Sequence, residues 1–398
     1  MSDLGDWLDF LALIALIVYR WDLGAPALAA LSVTVALPRI AIGPFAGVWV
    51  DRWPRRTVMV VADLARAVIV LGLVLAPDLP TVLALVFAKG VFSTFFSPAR
   101  QATIRQTVPQ EDLLAASSLA QLSVQVGKVM GPVLGGILVA IAGPRAAFAV
   151  DSGTFLVSAL FLIQLPSYSR PAGDEGEGEE EEPSAGVWNE FRAGLRYISH
   201  RASLGIAIGS MSAALFMIFI IDSIGVLALK ELGATEALFG VAVGSIGLGT
   251  ALGAVAIGQW GQRFAPVGLM GGGQIVSGAA VAVLGAAVIL SLRGTGLEWV
   301  GIYFLVGLSA AAVMVSYGYI LQVETPPEMM GRVFASADGV QTVFQLAAPP
   351  LGAALAQAFG IGPVLAAAGI GLALIGALVV LASPRVHIAS GDIRASLA

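Results

Sequence analysis

Residues 47–56 read Gly-Val-Trp-Val-Asp-Arg-Trp-Pro-Arg-Arg and separate two long apolar stretches, 26–50 and 57–76. Each stretch has the roughly 20 residues that a helix needs to cross about 30 Å of hydrocarbon. Three arginines and a proline therefore mark a short loop at one surface of a membrane, where one helix leaves the bilayer and the next one enters it. This segment predicts a chain that crosses a bilayer repeatedly.

The composition of the whole chain agrees with that prediction. Of the 398 residues, 58% are hydrophobic and only 12% are charged, whereas soluble domains carry about 25% charged residues. Because there is no cysteine, disulfides, thiolate metal sites and cysteine nucleophiles are excluded, and two histidines leave little material for zinc or a histidine-based triad. We therefore expect no enzyme activity, no metal or other cofactor, and no nucleic-acid partner.

The length criterion predicts twelve spans, most of them separated by proline, glycine or charged residues. They cover 2–20, 26–50, 57–76, 80–99, 113–141, 146–166, 202–228, 238–260, 266–291, 298–322, 332–358 and 362–382. The first span has an acidic rather than a basic start, so it is not a secretory signal. Since it begins at Met1, we expect a few residues of a natural cytoplasmic lead to precede it.

The basic residues predict the orientation of the chain. With twelve spans both termini lie on one side, and that side carries thirteen of the 21 bases, against four in the opposite loops. Because cytoplasmic loops are enriched in Lys and Arg, we expect both termini in the cytoplasm, in a bacterial plasma (inner) membrane. The other four bases, Arg39, Arg66, Lys89 and Lys128, fall inside predicted spans.

A single long polar segment, 168–201, divides the spans six and six, which predicts one bundle at 1–167 and a second at 202–398. Seven of the 26 acidic residues lie from Asp174 to Glu182. This run cannot bury a core, so it predicts a solvated cytoplasmic linker. Residues 187–200 are amphipathic and predict a helix along the membrane interface.

Short motifs recur in the two halves, in the same order and with nearly the same offset. The pairs are Gly47-x3-Asp51-Arg52 with Gly258-x3-Gln262-Arg263, Gln106-Thr107-x-Pro109 with Glu324-Thr325-x-Pro327, and Gly131-Pro132-x2-Gly135 with Pro349-Pro350-x-Gly352. Such repeats are typical of secondary transporters. The predicted fold class is an all-α polytopic membrane protein, with twelve transmembrane helices in two pseudo-symmetric six-helix bundles.

The motif at 47–56 resembles the major facilitator superfamily. That family's loop between helices 2 and 3 reads Gly-x3-Asp-Arg-x-Gly-Arg-Arg. This chain matches it at Gly47, Asp51, Arg52, Arg55 and Arg56, with Pro54 in place of the usual glycine. The resemblance implies a latch to the second half that forms when the cytoplasmic side closes. We expect Asp63 and Arg66, one turn apart on span 3, to extend this charge network, and ordinary flanking charge is the alternative.

A second signature resembles the family's drug:proton antiporters. Their helix 5 carries Gly-x3-Gly-Pro-x2-Gly-Gly, which this chain matches at Gly127, Gly131, Pro132, Gly135 and Gly136. Glycines every four residues give one smooth face for close helix packing, and Pro132 predicts a bend, so static packing and a moving hinge both stay open. Phe96-Ser-Pro98-Ala-Arg100 and Gly331-Arg332-Val-Phe334 resemble the macrolide-efflux and enterobactin-exporter branch.

Charged residues inside a bilayer are costly, and by default they mark functional sites or buried pairs. Counted from the outer helix ends at 1.5 Å per residue, Asp9 and Arg39 lie about 17 and 18 Å deep, at matching depths for an ion pair. On helix 4 the antiporters carry Arg-x2-Gln-Gly; only Gly90 is kept here, and we expect Lys89 to substitute in part for the arginine. The resemblance places span 6 peripherally, so we expect Asp151 to be structural.

The candidates for proton coupling or a substrate cavity are therefore the charged residues within spans. They are Asp6, Asp9, Arg39, Lys89, Lys128, Asp222 and Asp338. For each of them the alternative is a satisfied buried pair.

These observations predict a secondary active transporter that exports amphiphilic small molecules, drug-, macrolide- or siderophore-like, in exchange for protons. The resemblance implies alternating access by a monomer surrounded by membrane lipids. Two alternatives remain open at this point. One is a lipid or lysophospholipid transporter of the same fold, and the other is a membrane sensor or scaffold that transports nothing.

Overall fold

The computed structural model describes residues 2–50, 53–109, 134–165, 187–292 and 294–383, with isolated positions between 112 and 131. Helices make up nearly all of this part, and no strand occurs in it. The helices are α1 Ser2–Ala15, continued by the π-helix Leu16–Arg20, α2 Ala25–Val50, α3 Arg55–Val74, α4 Leu79–Thr107, α5 134–142, α6 Pro144–Ile163, α7 Val187–His200, α8 Ala202–Glu231, α9 Glu236–Trp260, α10 Pro266–Ile289, α11 Leu297–Glu324, α12 Pro327–Phe359 and α13 Ile361–Ala382.

Nine helices of the described ranges are long and apolar enough to cross a bilayer: α2, α3, α4, α6, α8, α9, α10, α11 and α13. The other three predicted spans are special cases. Helix α1 is short and acidic, α12 carries Glu328, Arg332 and Asp338 in its first half, and most of span 5 lies outside the described residues. The predicted all-α polytopic fold class is confirmed.

Helix α4 is longer than predicted. The apolar stretch ends near residue 99, but the helix runs to Thr107 and contains Pro98 in its interior. Apolar length reports only the part of a helix that lies in hydrocarbon, and about two more polar turns, residues 100–107, continue beyond it. A transmembrane helix can contain a proline such as Pro98, because neighbouring helices and hydroxyl side chains can bond to the backbone groups that a proline leaves free.

The chain falls into two compact units. The first comprises Met1–Asp174 with Ala234–Gly247, and the second comprises Glu175–Gly233 with Leu248–Ala398. The acidic run of the predicted linker lies outside the described residues, whereas its second part forms helix α7. The division at 1–167, 168–201 and 202–398 stays a prediction.

In the first unit, α3 packs against α4 and α6, α1 packs against α6, and α2 packs against α4. An apolar core forms around Val50, Met59 and Phe96, with Ala62 and Ala99 filling the space between the helices. Closer to the middle of these helices than this apolar core, the buried side chains are ionisable. The packing of α1, α3, α4 and α6 therefore places charged side chains inside the unit.

In the second unit, α10 and α13 approach each other through glycines spaced seven residues apart. Those on α10 are Gly271, Gly278 and Gly285, and those on α13 are Gly362, Gly369 and Gly376. A Cβ at Gly278 would lie 2.5 Å from the Gly369 oxygen. Small residues at this spacing let two helix backbones touch, which is how transmembrane helices associate without a hydrophobic driving force.

Candidate functional site

Six ionisable side chains from four helices of the first unit form one group, which we call the charge cluster. Its members are Asp6 and Asp9 of α1, Asp63 and Arg66 of α3, Lys89 of α4 and Asp151 of α6. Residues three apart on a helix share a face, so Asp6 with Asp9, and Asp63 with Arg66, each enter the cluster from one side of their helix.

Lys89 bridges the two acids of α1. Its Nζ lies 2.5 Å from Asp9 Oδ2 and 2.6 Å from Asp6 Oδ1. Asp9 and Lys89 are buried, whereas the side chain of Asp6 keeps 37% of its surface exposed. A buried ammonium ion is therefore shared by one enclosed carboxylate and one accessible carboxylate.

Arg66 holds the other side of the cluster. Its guanidinium group pairs with Asp63 one turn earlier and lies 3.9 Å from Asp6 Oδ2. The ring centroids of Phe96 and Phe155 lie 4.4 and 4.5 Å from its Cζ, so the cation is stacked between two aromatic faces. Stacking of this kind stabilises a guanidinium ion where water is excluded.

Asp151 is fully buried. Thr154 Oγ1 donates to its Oδ1 at 3.1 Å, and its Oδ2 has no hydrogen-bond partner among the described residues. Asp9, Lys89 and Asp6 all act on it electrostatically. Gly5 lies directly against it, since a Cβ at residue 5 would overlap Asp151 Oδ1.

The charges of the cluster do not balance. Among the side chains described there, four carboxyl groups face two cations. An uncompensated charge in hydrocarbon costs several kcal/mol, roughly 2.5–3.5 on insertion scales. Two protons would make the cluster neutral, so the arrangement is suited to taking up and releasing protons.

The structure changes two of the sequence-based pairings. Asp9 contacts Lys89, and Arg39, whose depth matched that of Asp9, lies exposed on α2. Asp63 and Arg66, which were expected to extend the charge network of the loop between α2 and α3, pair with each other and lie in the charge cluster. Arg66 is eleven residues from the start of α3 at Arg55, about 17 Å along the helix.

Asp151 is the residue that the sequence interpretation set aside, because span 6 was expected to be peripheral. Its position seven residues after Pro144 gives a depth of about 10 Å, and Lys89, nine residues after the start of its predicted span at residue 80, lies about 13 Å deep by the same count. The similar depths of Asp151 and Lys89 are therefore the feature of the sequence that could have placed Asp151 in the cluster. Lys128, the remaining candidate of this half, lies outside the described residues.

Of the predicted latch, only part is described. Arg55 donates to the Ala102 oxygen at 3.4 Å and Arg56 donates to the Ile163 oxygen, so both tie the start of α3 to the ends of neighbouring helices. Asp51 and Arg52 lie outside the described residues, and at Gly47 only the helical backbone is described. The latch stays a prediction.

The glycine face of span 5 packs closely against α1. A Cβ at Gly131 would overlap the Trp7 side chain, and one at Gly135 would lie 3.3 Å from the Leu8 Cα. Gly136 meets the Gly240 backbone in the same way, and Gly127 is buried. Pro132 lies outside the described residues. The glycines thus press span 5 onto the helix that carries Asp6 and Asp9.

In the second unit, both predicted acids are exposed. From Ser203 to Lys230 of α8, only Gly209 and Asp222 are exposed. Asp338 of α12 lies in electrostatic range of Tyr317, whose hydroxyl accepts from Gln341 Nε2 at 2.7 Å. Phe216 and Phe344 pack edge to face nearby on the same two helices, α8 and α12, with centroids 5.6 Å apart.

The chain is similar in sequence to known proteins. The family model described as Major Facilitator Superfamily matches residues 1–227. The uncharacterized MFS-type transporter YfiS of Bacillus subtilis (strain 168) is 26% identical over 387 residues, 96% of this chain and 90% of that protein. The enterobactin exporter EntS of Escherichia coli O1:K1 / APEC is 26% identical over 375 residues, 91% of this chain and 83% of that protein.

Solved structures show the same fold at lower identity. A bacterial homologue of the human lysosomal transporter Spinster superposes with a TM-score of 0.68 at 15% identity, covering 97% of this chain and 95% of that one. The nucleoside transporter NupG superposes with a TM-score of 0.66 at 9% identity, covering 96% and 98%.

The predictions of a transporter rather than an enzyme, and of a multi-pass inner-membrane protein with a small-molecule substrate, are confirmed. The family match covers more than half of the chain and includes the helices that build the charge cluster. The chain belongs to the major facilitator superfamily of transporters.

Proposed function

We propose that this transporter exports amphiphilic, cationic small molecules in exchange for protons, by alternating access. The observation that carries the proposal is the charge cluster, in which Lys89 bridges Asp6 and Asp9 next to buried Asp151. Ionisable groups at this depth mark proton relays in transporters.

The geometry supports a proton route through these side chains. Asp6 is the accessible member, Asp9 and Asp151 are enclosed, and Lys89 contacts both acids of α1. Protonation of Asp6 or Asp9 removes one of the two charges that hold the ammonium ion. The remaining pair then tightens, so the position of α1 relative to α4 depends on protonation, which is what coupling to a conformational cycle requires.

The second unit supports a cationic, partly aromatic substrate. Asp222 is an exposed carboxylate on α8, whose other positions from Ser203 to Lys230 are not exposed apart from Gly209, and Asp338 is exposed on α12. Tyr317, Gln341, Phe216 and Phe344 offer polar and aromatic contacts. An apolar site with a few placed polar groups is the usual form of a small-molecule site. An amphiphile with one positive charge fits that combination.

The distribution of bases supports an orientation with both termini in the cytoplasm. Thirteen Lys and Arg residues lie on the side of the termini and four on the other. Export to the periplasm then follows for a substrate taken up from the cytoplasm or the inner leaflet. We propose a monomer, since each half carries its own share of charged site residues.

The test is transport of the lipophilic cation tetraphenylphosphonium in proteoliposomes with an imposed pH gradient. We expect uptake that is driven by a proton gradient and lost in Asp9→Asn, which keeps the size of the side chain but removes the charge that Lys89 contacts. Asp78→Asn is the matched control, since Asp78 lies outside the spans and caps α4 by accepting from Thr81 N, which asparagine also does.

Three outcomes bear on the proposal. Gradient-driven uptake that survives in Asp9→Asn would remove the cluster from the coupling mechanism. Uptake that ignores the gradient would contradict proton exchange itself. Movement of a fluorescent lysophospholipid without transport of the cation would replace the proposal with the lipid-transporter alternative.

A further inference from the structure

The second unit contains a groove that the transport cycle proposed above does not use. It has a volume of about 640 Å³ and lies among α9, α10 and α11. Half of its fourteen lining residues are glycine or alanine, so the groove exists because these positions lack large side chains. A Cβ at Gly272 meets nothing within 4 Å, and one at Gly268 meets only Ala265 at 3.9 Å.

The chemistry of the groove fits a hydrocarbon chain. Ser309 is the one hydroxyl among its lining residues, and that hydroxyl already donates to the Leu305 oxygen at 2.8 Å and bonds to Ser277 at 2.6 Å. No polar group of the lining is therefore left to orient a polar ligand. The volume lies within the roughly 300–1,000 Å³ of sites that bind small molecules.

Exposed apolar side chains lie in and around the groove. Val276 and Leu305 of its lining are exposed, as are Leu252 and Val255 on the neighbouring turns of α9. These helices are among the nine that can cross a bilayer. Exposed apolar side chains on helices that cross a bilayer are suited to contact acyl chains, so a hydrocarbon chain is the occupant that fits the groove.

One end of the groove lies at a polar turn. Phe264 and Ala265 line it, and Arg263, directly before them, ends the turn Gly261–Arg263 and is exposed. Arg263 is the only charged residue in the sequence between Glu236 and Arg293. Where the first half has Asp51 before Arg52, the second half has the neutral Gln262 before Arg263, so no acid accompanies this base in sequence.

Exposed Trp260 and Phe264 flank the turn. Tryptophan side chains such as Trp260 collect at the level of lipid headgroups, and a base beside them at that level can contact phosphate. With the termini in the cytoplasm, as proposed above, this turn lies at the inner leaflet. An apolar groove therefore leads away from a positive charge at headgroup level.

We propose that this groove binds one anionic glycerophospholipid of the inner leaflet, with an acyl chain between α9, α10 and α11 and its phosphate at Arg263. The bound lipid fills the space that the small residues leave in the packing of the second unit. It acts as a structural ligand and not as the exported substrate.

The test is native mass spectrometry of the whole protein in detergent, delipidated and then titrated with phosphatidylglycerol, phosphatidylcholine or glycerol phosphate. We expect one retained phosphatidylglycerol, weaker retention of phosphatidylcholine and no retention of glycerol phosphate. Arg263→Gln should weaken the binding of phosphatidylglycerol about fivefold and remove the preference for its headgroup over that of phosphatidylcholine. The reason is that one base near a membrane surface contributes about 1 kcal/mol.

Gly272→Leu should weaken the binding of phosphatidylglycerol about tenfold, because the new side chain displaces about two methylene groups of the acyl chain from the groove. Gly301→Leu is the matched control. Gly301 is an exposed glycine of α11 outside the lining, where a Cβ also meets nothing within 4 Å, and its variant should bind as the wild type does. Gly268→Leu repeats the test at a second open position.

The wild-type titration decides the proposal even if a variant does not fold. Absence of a retained phosphatidylglycerol, or equal retention of phosphatidylcholine, would overturn it. Retention by Gly272→Leu and Gly268→Leu as strong as by Gly301→Leu would place the lipid elsewhere and overturn it as well. These results are independent of cation transport, so they separate this inference from the proposed transport function.

Discussion

Gly5 and Asp151 lie in direct contact, so that the absence of a side chain at residue 5 creates the space that the Asp151 carboxylate occupies. Helix α1 can therefore approach α6 only because position 5 is a glycine. The same approach brings Asp6 and Asp9 to Lys89. One small residue thus sets the geometry of the charge cluster.

Gly5→Ala is predicted to displace α1 from α6 and to reduce gradient-driven transport, because the added methyl group overlaps Asp151 Oδ1 and forcing an extra carbon into a packed site costs about 1–3 kcal/mol. The measurement is tetraphenylphosphonium uptake per folded protein in proteoliposomes. Gly209→Ala on α8 is the control, since a Cβ there meets nothing within 4 Å. Equal uptake by the two variants would show that this contact does not position the cluster.

Lys89→Met is predicted to destabilise the protein by about 3–5 kcal/mol, because it leaves Asp6 and Asp9 without the ammonium ion that both contact. Denaturant unfolding in detergent measures this loss. The triple variant Lys89→Met, Asp6→Asn, Asp9→Asn should recover most of the stability, since it removes the uncompensated acids together with the base. A triple variant less stable than Lys89→Met alone would disprove this reading of the pair.

Asp222→Asn is predicted to weaken transport of a cationic amphiphile by at least about tenfold in apparent affinity, since a charge-assisted contact contributes about 1.5–3 kcal/mol. Transport of an uncharged analogue of similar shape should change little. Concentration dependence of uptake for the two compounds gives the comparison. Loss of both to the same extent would make Asp222 a structural residue.

Orientation has a direct test because the natural chain contains no cysteine. A single cysteine at Thr295, in the loop before α11, should react with a membrane-impermeant maleimide in intact cells. One at Ser199, exposed at the end of α7, should react only after permeabilisation. The reverse pattern would place the termini outside and invert the proposed direction of export.

The helices could be predicted from the sequence because crossing a bilayer imposes a length and an apolar composition that single residues cannot override. The partners within the charge cluster could not. Depth along a helix follows from counting residues, so Asp9 and Arg39 were found at the same level, but which way a side chain points around its helix depends on packing. Lys89, and not Arg39, faces Asp9.

Asp151 and Arg66 also show that contacts between helices cannot be predicted from positions along single helices. A peripheral position of span 6 would exclude Asp151 from the site. In the structure, however, the missing side chain at Gly5 leaves room for the Asp151 carboxylate inside the unit. The spacing of Asp63 and Arg66 predicts that both extend the loop network, but the distance of Arg66 from the helix start brings it to Asp6 instead. A local spacing rule predicts a local contact, whereas a site shared by four helices depends on all of their rotations together.

If the charge cluster exchanges protons for substrate, the movement of protons can be followed directly. Proteoliposomes loaded with a pH-sensitive dye receive tetraphenylphosphonium on the outside, with no gradient imposed. We expect the lumen to become more alkaline as the cation enters, for wild type and Asp78→Asn but not for Asp9→Asn. Entry of the cation into wild-type vesicles at constant lumenal pH would contradict proton exchange by the charge cluster.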